Sequence, residues 1–249
     1  MLATNSIIDT DKIFVFDDVA PEWLYESFQH RIREAQRWKY GMAATRSDYG
    51  RFFVLWVAQA GTHRGNRGPF AGDVDNVATY CHDLWVDKLL PTIIPDGQIV
   101  NIHRVHFNGQ FPTQDKLAIH MDWDMKDMWT LLYYLDGEDG DTVFYENPVV
   151  DDSGEMHPPE EVYRVKFRKN RMVFFPSFYW HAGENPKEGF RISLAFNYTL
   201  NSRCKINQEL RKDRGIVEPT LGEPDLSDFL SELDHIHKLE EMHKKMQKK

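Results

Sequence analysis

The chain has 249 residues, of which 41% are hydrophobic and 28% charged, a composition typical of a folded globular protein. Its formal net charge of -9 argues against broad electrostatic binding to nucleic acid or to an anionic membrane surface. The only two cysteines, Cys81 and Cys204, argue against a disulfide framework and predict a reducing, cytoplasmic location. No run approaches the ~18 apolar residues that span a bilayer, and residues 1–11 lack the pattern of a secretory signal.

The first 96 residues predict helices and strands that support a core located further along the chain. The apolar runs Ile13–Phe16 and Arg51–Ala60 are typical of strands. Two helices with apolar residues at helical spacing are predicted, one opening at Pro21 and one capped by Asp73.

From Gly97 onward, short β-type runs follow one another with turn residues between them. Many short strands separated in this way predict an all-β sandwich or barrel. No long helical pattern intervenes, which disfavours parallel βαβ units. The predicted strands are Ile99–Phe107, Leu117–Trp123, Trp129–Leu135, Thr142–Glu146, Glu161–Phe167, Arg171–Phe175 and Phe190–Leu200.

After Leu200 the sequence returns to a helical pattern. An amphipathic helix is predicted that packs on the domain or forms a homodimer with a second copy, and a solvated surface helix is the alternative. We therefore predict three regions: supporting elements in 1–96, a β core in 97–202 and a helical extension in 203–249. The apolar positions of the C-terminal helix are Leu226, Phe229, Leu233, Ile236 and Leu239.

The tripeptide His120-Met121-Asp122 ends one of the predicted strands. Residues i and i+2 of a strand point to the same face, so an imidazole and a carboxylate would project together. His181 lies 59 residues beyond Asp122 and is a candidate third ligand. Two histidines and one carboxylate leave open positions on a metal, as in iron(II) oxygenases.

Arg191 begins the strand RISLAFNY, ten residues after His181. Arg191 and Ser193 face the same way in a strand, and a guanidinium is well shaped to bind a carboxylate. The sequence therefore predicts a metal site beside a carboxylate site. A cupin-like barrel that binds a metal without oxidative turnover is the rival hypothesis, and it gives Arg191 no role.

The segments HMD, WTLLYYLD, DTVFYE, RMVFFPSFYWHAGENP and RISLAFNY resemble the core of the Fe(II)/2-oxoglutarate dioxygenases. The resemblance covers roughly Gly97 to Asn201 and is nearest to the prolyl 4-hydroxylase-like subgroup. It implies a double-stranded β-helix, a cupin-like jelly roll, within a mainly β protein with flanking helices (α+β).

The same resemblance implies the chemistry of the site. His120, Asp122 and His181 are the expected catalytic iron(II) ligands, and Arg191 is expected to bind the C5 carboxylate of 2-oxoglutarate with help from Ser193 and a matching Tyr134. Dioxygen is the expected second cosubstrate. The expected reaction hydroxylates a C–H bond and releases succinate and CO2. Family halogenases lack the carboxylate ligand, so its presence here favours hydroxylation.

The run RVHFNGQ resembles the strand that lines the opposite wall of the site in this subgroup. His106 stands where relatives often have a tyrosine that touches the cosubstrate. His106 or Asn108 could bind the cosubstrate instead, or the two could be a structural histidine and a turn asparagine.

The substrate is the least constrained part of the prediction. The subgroup resemblance favours a prolyl or other peptidyl side chain, and a free amino acid or another small metabolite is the alternative. Arg64 and Arg67, in the loop Gly61–Gly72, could bind an anionic substrate, and Trp123 could border the cavity. Ordinary solvation and packing are the alternatives for these three residues.

Overall fold

The computed structural model describes residues 8–35, 38–42, 52–59, 72–112, 119–147, 149–150, 156–157 and 159–213. Arg64, Arg67 and the predicted amphipathic helix with Leu226–Leu239 lie outside these residues. The chain divides into two units, 1–214 and 215–249, and every described residue belongs to the first. Within the described residues, no helix is both long and apolar enough to cross a membrane. The predicted division into three regions remains a prediction.

Twelve described strands form two larger sheets and a short hairpin, with antiparallel pairing throughout. In spatial order the large sheet contains β1 (Phe14–Phe16), β10 (Arg171–Pro176), β5 (Met128–Asp136), β12 (Arg191–Leu200), β4 (Ile99–Gln110), β3 (Phe52–Gln59) and β2 (Lys39–Met42). The small sheet contains β11 (His181–Gly183), β6 (Thr142–Tyr145) and β9 (Glu161–Val165), and the hairpin pairs β7 (Val149–Val150) with β8 (Met156–His157).

The two larger sheets face each other through polar and aromatic contacts. The Tyr134 hydroxyl on β5 donates to Thr142 Oγ1 on β6 at 2.7 Å. The ring of Phe144 on β6 packs edge-on against Phe175 on β10, with 4.9 Å between ring centroids. Two facing sheets of mainly antiparallel strands, flanked by a few helices, confirm the predicted double-stranded β-helix.

The predicted strand Leu117–Trp123 is wrong over its described part. Residues 119–123 contain a single isolated bridge, at His120, whose backbone exchanges two hydrogen bonds of 2.9 Å with His181. The pairing stops there because the Trp123 N–H turns away to the carbonyl of Ser177, at 3.2 Å. Asp122 therefore lies in a bend, and this turn, rather than strand alternation, directs its side chain.

Four α-helices are described: α1 (Glu22–Glu34), α2 (Gly72–Leu84), α3 (Leu90–Ile93) and α4 (Lys205–Asp213). A π-helical segment, Trp85–Leu89, joins α2 to α3. Pro21 is the N-cap of α1, as the sequence indicates. The helix α2 begins at Gly72, so Asp73 lies within it rather than at its cap.

The helix α1 and the π-helical segment that follows α2 cover the outer face of the large sheet. The Tyr25 hydroxyl on α1 donates to the Leu135 carbonyl at 2.5 Å, and the Trp85 ring lies 4.3 Å from that of Phe174. Tyr133 points away from the interior between the sheets, as its parity predicts. It is nevertheless fully buried, since the helices cover that face, and its hydroxyl donates to Asn170 at 2.7 Å.

Candidate functional site

A row of polar side chains on β4 and β12 faces the small sheet. The strand register pairs Gln110 with Arg191 at one end of the row and Arg104 with Asn197 at the other. We call this set the polar row: Arg104, His106, Asn108, Gln110, Arg191, Ser193 and Asn197.

The three predicted metal ligands meet at the Arg104 end of the polar row. One donor atom from each of His120, Asp122 and His181 lies within 4.8 Å of the others. His120 Nε2 is 3.7 Å from Asp122 Oδ1, and His181 Nε2 is 4.0 Å from Asp122 Oδ2. The reciprocal backbone pairing of the two histidines holds their rings side by side, 4.6 Å apart.

The tautomer of His181 follows from its hydrogen bond. Its Nδ1 lies 2.8 Å from the carbonyl of Tyr179, which can only accept, so Nδ1 carries the proton and the Nε2 lone pair faces Asp122. Burial, assisted by the nearby His120, lowers the pKa of His181 to about 4. The ring is thus neutral near pH 7, the form that can ligate a metal.

Asp122 is held by three donors that the sequence analysis did not single out. Arg104 Nη2 donates to Oδ1 at 2.6 Å, while Thr130 Oγ1 and Asn197 Nδ2 donate to Oδ2 at 2.7 and 3.1 Å. Burial acts to raise the pKa of Asp122, but the Arg104 charge and the two histidines hold it well below its usual range. An ionised carboxylate beside two imidazoles suits a divalent cation.

Arg191 lies at the opposite end of the polar row and is 2% exposed. Its Nε donates to the Gly140 carbonyl at 2.8 Å, its Nη1 to Gln110 Oε1 and its Nη2 to Thr142 Oγ1 at 3.4 Å. Its guanidinium carbon lies 5.2 Å from the centroid of the Tyr134 ring. The described hydrogen-bond acceptors of this buried cation are therefore all neutral.

Asp141 and Glu184 act to raise the pKa of Arg191 through their charge, but neither accepts a described hydrogen bond from it. Glu184 and Asp141 accept hydrogen bonds from Arg164 at 2.6 and 3.2 Å. Burial lowers the pKa of Arg191, although a guanidinium stays charged near pH 7. A buried charge is costly unless an opposite charge pairs with it, so this end of the row suits an anionic ligand.

Gly140 shapes the pocket of Arg191 and was not among the predicted site residues. Its φ of +99° is in the region that favours glycine, and a Cβ there would lie 2.6 Å from Arg191 Cδ and 2.8 Å from the Glu184 carbonyl oxygen. The turn therefore needs glycine both for its backbone conformation and for the close approach of the arginine.

The remaining predicted site residues lie between the two ends. Ser193 and His106 are buried on the polar row, and burial lowers the pKa of His106 to about 3, so its ring is neutral. Asn108 is the neighbour of His106 on the row, and a side-chain interaction with Asn108 acts to raise the pKa of His106 against the effect of burial. Tyr134 stacks on Arg191, but its hydroxyl donates to Thr142. The contacts of these four residues with a cosubstrate remain predictions.

Residues 103–199 match the family model of the 2OG-Fe(II) oxygenase superfamily. Comparison with curated proteins gives no match. The matched family uses iron(II), 2-oxoglutarate and dioxygen as metal and cosubstrates.

Two solved structures share the fold at low sequence identity. One is a prolyl hydroxylase from Trichoplax adhaerens in complex with a hypoxia inducible factor peptide: 13% identity, TM-score 0.51, covering 84% of this chain and 89% of that one. The other is the non-heme alpha ketoglutarate dependent epimerase SnoN from nogalamycin biosynthesis: 15% identity, TM-score 0.51, covering 76% and 78%.

These two relatives have different reactions in their names, so the shared fold does not determine the substrate. The matching family model, the double-stranded β-helix and the His/Asp/His cluster nonetheless agree with one another. Residues 103–199 therefore match the 2OG-Fe(II) oxygenase superfamily, and these findings together support an oxygenase enzyme.

Proposed function

We propose that this enzyme uses dioxygen to hydroxylate a C–H bond of its substrate while converting 2-oxoglutarate to succinate and CO2. The observation that carries the proposal is Arg191, a buried cation with neutral hydrogen-bond partners, in the same interior as the His/Asp/His cluster. A metal-binding protein without turnover explains the cluster but needs no such cation.

The residues at each end of the polar row fit the two groups that the family requires. His120, Asp122 and His181 would hold iron(II), and Arg191 would bind the far carboxylate of 2-oxoglutarate. When bound, iron(II) would enable dioxygen, the oxidant, to oxidise both 2-oxoglutarate and the substrate C–H bond. The chain contributes an ionised carboxylate, a histidine with a fixed tautomer and buried side chains around them.

Four further residues are proposed to line the cosubstrate. Ser193, His106 and Asn108 lie along the polar row between the metal cluster and Arg191, and Tyr134 flanks the guanidinium. Their position supports this role, because a ligand that bridges the two ends must pass them. His106, being neutral and buried, would offer a hydrogen bond rather than a charge.

We propose a peptidyl side chain, prolyl residues among them, as the first substrate class to test. The support is the resemblance of the core to the prolyl 4-hydroxylase-like subgroup. The alternative is a free amino acid or another small metabolite. A search for a gain of one oxygen by mass spectrometry separates them, with Asp122→Ala as the inactive reference. If the oxidised product is a small molecule, a peptidyl side chain is excluded as the substrate.

The reaction itself is tested in two stages. First, Mn(II) and 2-oxoglutarate binding is measured by calorimetry without oxygen, where a protein that binds neither contradicts the proposal. Second, the Fe(II)-loaded protein is supplied with oxygen, and succinate formation is measured beside Asp122→Ala. Binding of metal without any succinate, over long incubation and with candidate substrates, favours the binding-protein alternative.

A further inference from the structure

We propose that Arg104 is a second anion-binding residue, and that it binds a carboxylate of the substrate beside the metal cluster. This inference rests on the proposed function and adds to it a chemical class of substrate. The carboxylate can belong to a free acid or to an acidic residue of a peptide, and the experiment below separates these sources.

An irregularity in β4 brings two side chains to this end of the interior. The register with β12 shifts between Asn197, which pairs with Arg104, and Tyr198, which pairs with Ile102, so His103 is an extra residue. Such a bulge redirects a side chain, and bulges are common next to active sites. His103 thus reaches Thr199 Oγ1 on β12, at 2.5 Å, next to Arg104.

The guanidinium of Arg104 is fixed on one side and has donors left over on the other. Its Nε donates to Asn197 Oδ1 at 2.7 Å and its Nη2 to Asp122 Oδ1 at 2.6 Å. An arginine has five N–H donors, so three take no part in the described hydrogen bonds of this side chain. A guanidinium held in place in this way is prepared for a planar, two-oxygen ligand.

The surroundings of Arg104 differ from those of Arg191 in a way that suits an exchangeable ligand. The side chain of Arg104 is 22% exposed, against 2% for Arg191. Trp123 follows Asp122 in the chain, is 36% exposed and lies 6.2 Å from His103 between ring centroids. The Arg104 end of the polar row therefore has both a cation and an accessible aromatic border, as a substrate entrance requires.

The charges of the groups in the loaded interior give a second reason to expect a substrate carboxylate next to Arg104. Before metal binding, Arg104 neutralises Asp122. Iron(II) adds two positive charges and 2-oxoglutarate two negative ones, while Arg191 remains positive. Over Arg104, Asp122, Arg191, iron(II) and 2-oxoglutarate alone the charges sum to +1, and Asp141 and Glu184 offset part of it at the Arg191 end only. A substrate carboxylate next to Arg104 cancels it, whereas a neutral substrate leaves it in place.

The experiment measures binding to the protein loaded with Mn(II) and 2-oxoglutarate without oxygen. One set of probes is the protein-forming free L-amino acids, each paired with its carboxamide. The other is end-capped peptides with an internal Pro-Glu, each paired with its Pro-Gln counterpart. In at least one pair, we expect the acid to bind about 10-fold to 100-fold more tightly than the amide, the range of a charge-assisted hydrogen bond. The set that shows the difference identifies the source of the carboxylate.

Arg104→Gln should abolish the preference for the acid. Arg104→Lys should reduce it, because lysine keeps the charge but lacks the two parallel N–H donors of the planar guanidinium. If Arg104→Gln no longer binds Mn(II), the inference is tested on the acid-to-amide affinity ratios of the wild-type protein and of Arg104→Lys. The inference is overturned if no acid binds more tightly than its amide, or if the preference persists undiminished in the variants. Wild-type protein that binds Mn(II) and 2-oxoglutarate but shows no such preference overturns this inference alone. Wild-type protein that binds neither overturns the proposed function as well.

Discussion

The charge of Arg191 gives the sharpest test of the proposed site. In Arg191→Met the side chain keeps much of its length but loses the cation that would pair with the far carboxylate of 2-oxoglutarate. Removing one partner of a buried charge pair at a binding site costs about 2–5 kcal/mol. The dissociation constant of 2-oxoglutarate should therefore rise about 30-fold to about 5,000-fold.

The weaker binding of 2-oxoglutarate should also appear as a smaller ligand-induced rise in Tm. With 2-oxoglutarate at about 100 times its dissociation constant, the wild-type protein gains about 2.7 kcal/mol. A variant that binds about 30-fold more weakly gains only about 0.9 kcal/mol at that concentration. For a chain of 249 residues, each kcal/mol shifts Tm by about 2–4 °C. The ligand-induced rise in Tm should thus fall from about 5–11 °C to about 2–4 °C or less.

The assay is thermal unfolding with Mn(II) under nitrogen, with and without 2-oxoglutarate. Arg168→Met is the matched control, since Arg168 is half exposed and pairs with Asp17 and Asp18 on the surface. Surface pairs contribute little, so this variant should keep the full ligand-induced rise. A full rise in Arg191→Met would refute the assignment of this arginine to the cosubstrate.

Gln110 allows the charge argument to be tested with almost no change in shape. Arg191 Nη1 donates to Gln110 Oε1, and Gln110→Glu places a carboxylate at the same position. That carboxylate would neutralise the guanidinium and compete with the ligand, whereas Gln110→Met removes the polar contacts of Gln110 without adding a charge. We expect Gln110→Glu to weaken 2-oxoglutarate binding about 10-fold or more beyond Gln110→Met, as calorimetry would measure. The opposite order would mean that side-chain packing, rather than charge, governs this end of the site.

Three further substitutions test the rest of the structure. Asp122→Asn should weaken Mn(II) binding by more than about 100-fold in anaerobic calorimetry, because it removes a charged ligand, and unchanged affinity would contradict that role. Gly140→Ala should lower the free energy of unfolding in urea by about 1–3 kcal/mol more than Gly189→Ala. Both glycines have positive φ, but only Gly140 has a side chain, that of Arg191, in the way of a Cβ, so equal losses would show that contact to be unimportant. Asn170→Gly keeps a backbone φ of 62° but loses three buried hydrogen bonds, and it should cost about 2–4 kcal/mol in the same assay. No loss would mean that the turn depends on backbone conformation alone.

The β core was predictable because its strands carry their signal locally. The runs around Trp129–Leu135 and Arg171–Phe175 are apolar on both faces, and the structure buries both faces, one under helices and one between the sheets. Local sequence does not encode where pairing stops. The run Leu117–Trp123 has strand-like composition, yet its described part forms one bridge, because a hydrogen bond to the distant Ser177 redirects the backbone.

The site was predictable only for residues whose chemistry is unusual by itself. His120, Asp122, His181 and Arg191 stand out as ligand types at suggestive spacings, and the structure brings the first three within reach of one ion. Arg104 did not stand out, because an arginine on a strand is ordinarily a surface residue. Its role depends on register, since only the pairing of β4 with β12 places it on Asp122.

One face of β4 shows how such residues can be recognised. Val105 and Phe107 are buried against the helices, as the hydrophobic rule requires. The alternate residues from Arg104 to Gln110 are polar, yet they face the interior between two sheets rather than water. Polar groups directed into a protein interior cost stability unless they are paired or serve a ligand. The polar row therefore identifies the face of this sheet that is proposed to bind ligands, whereas the opposite, apolar face packs in the core. Its two guanidiniums, one at each end, indicate that the ligands bound there are anions.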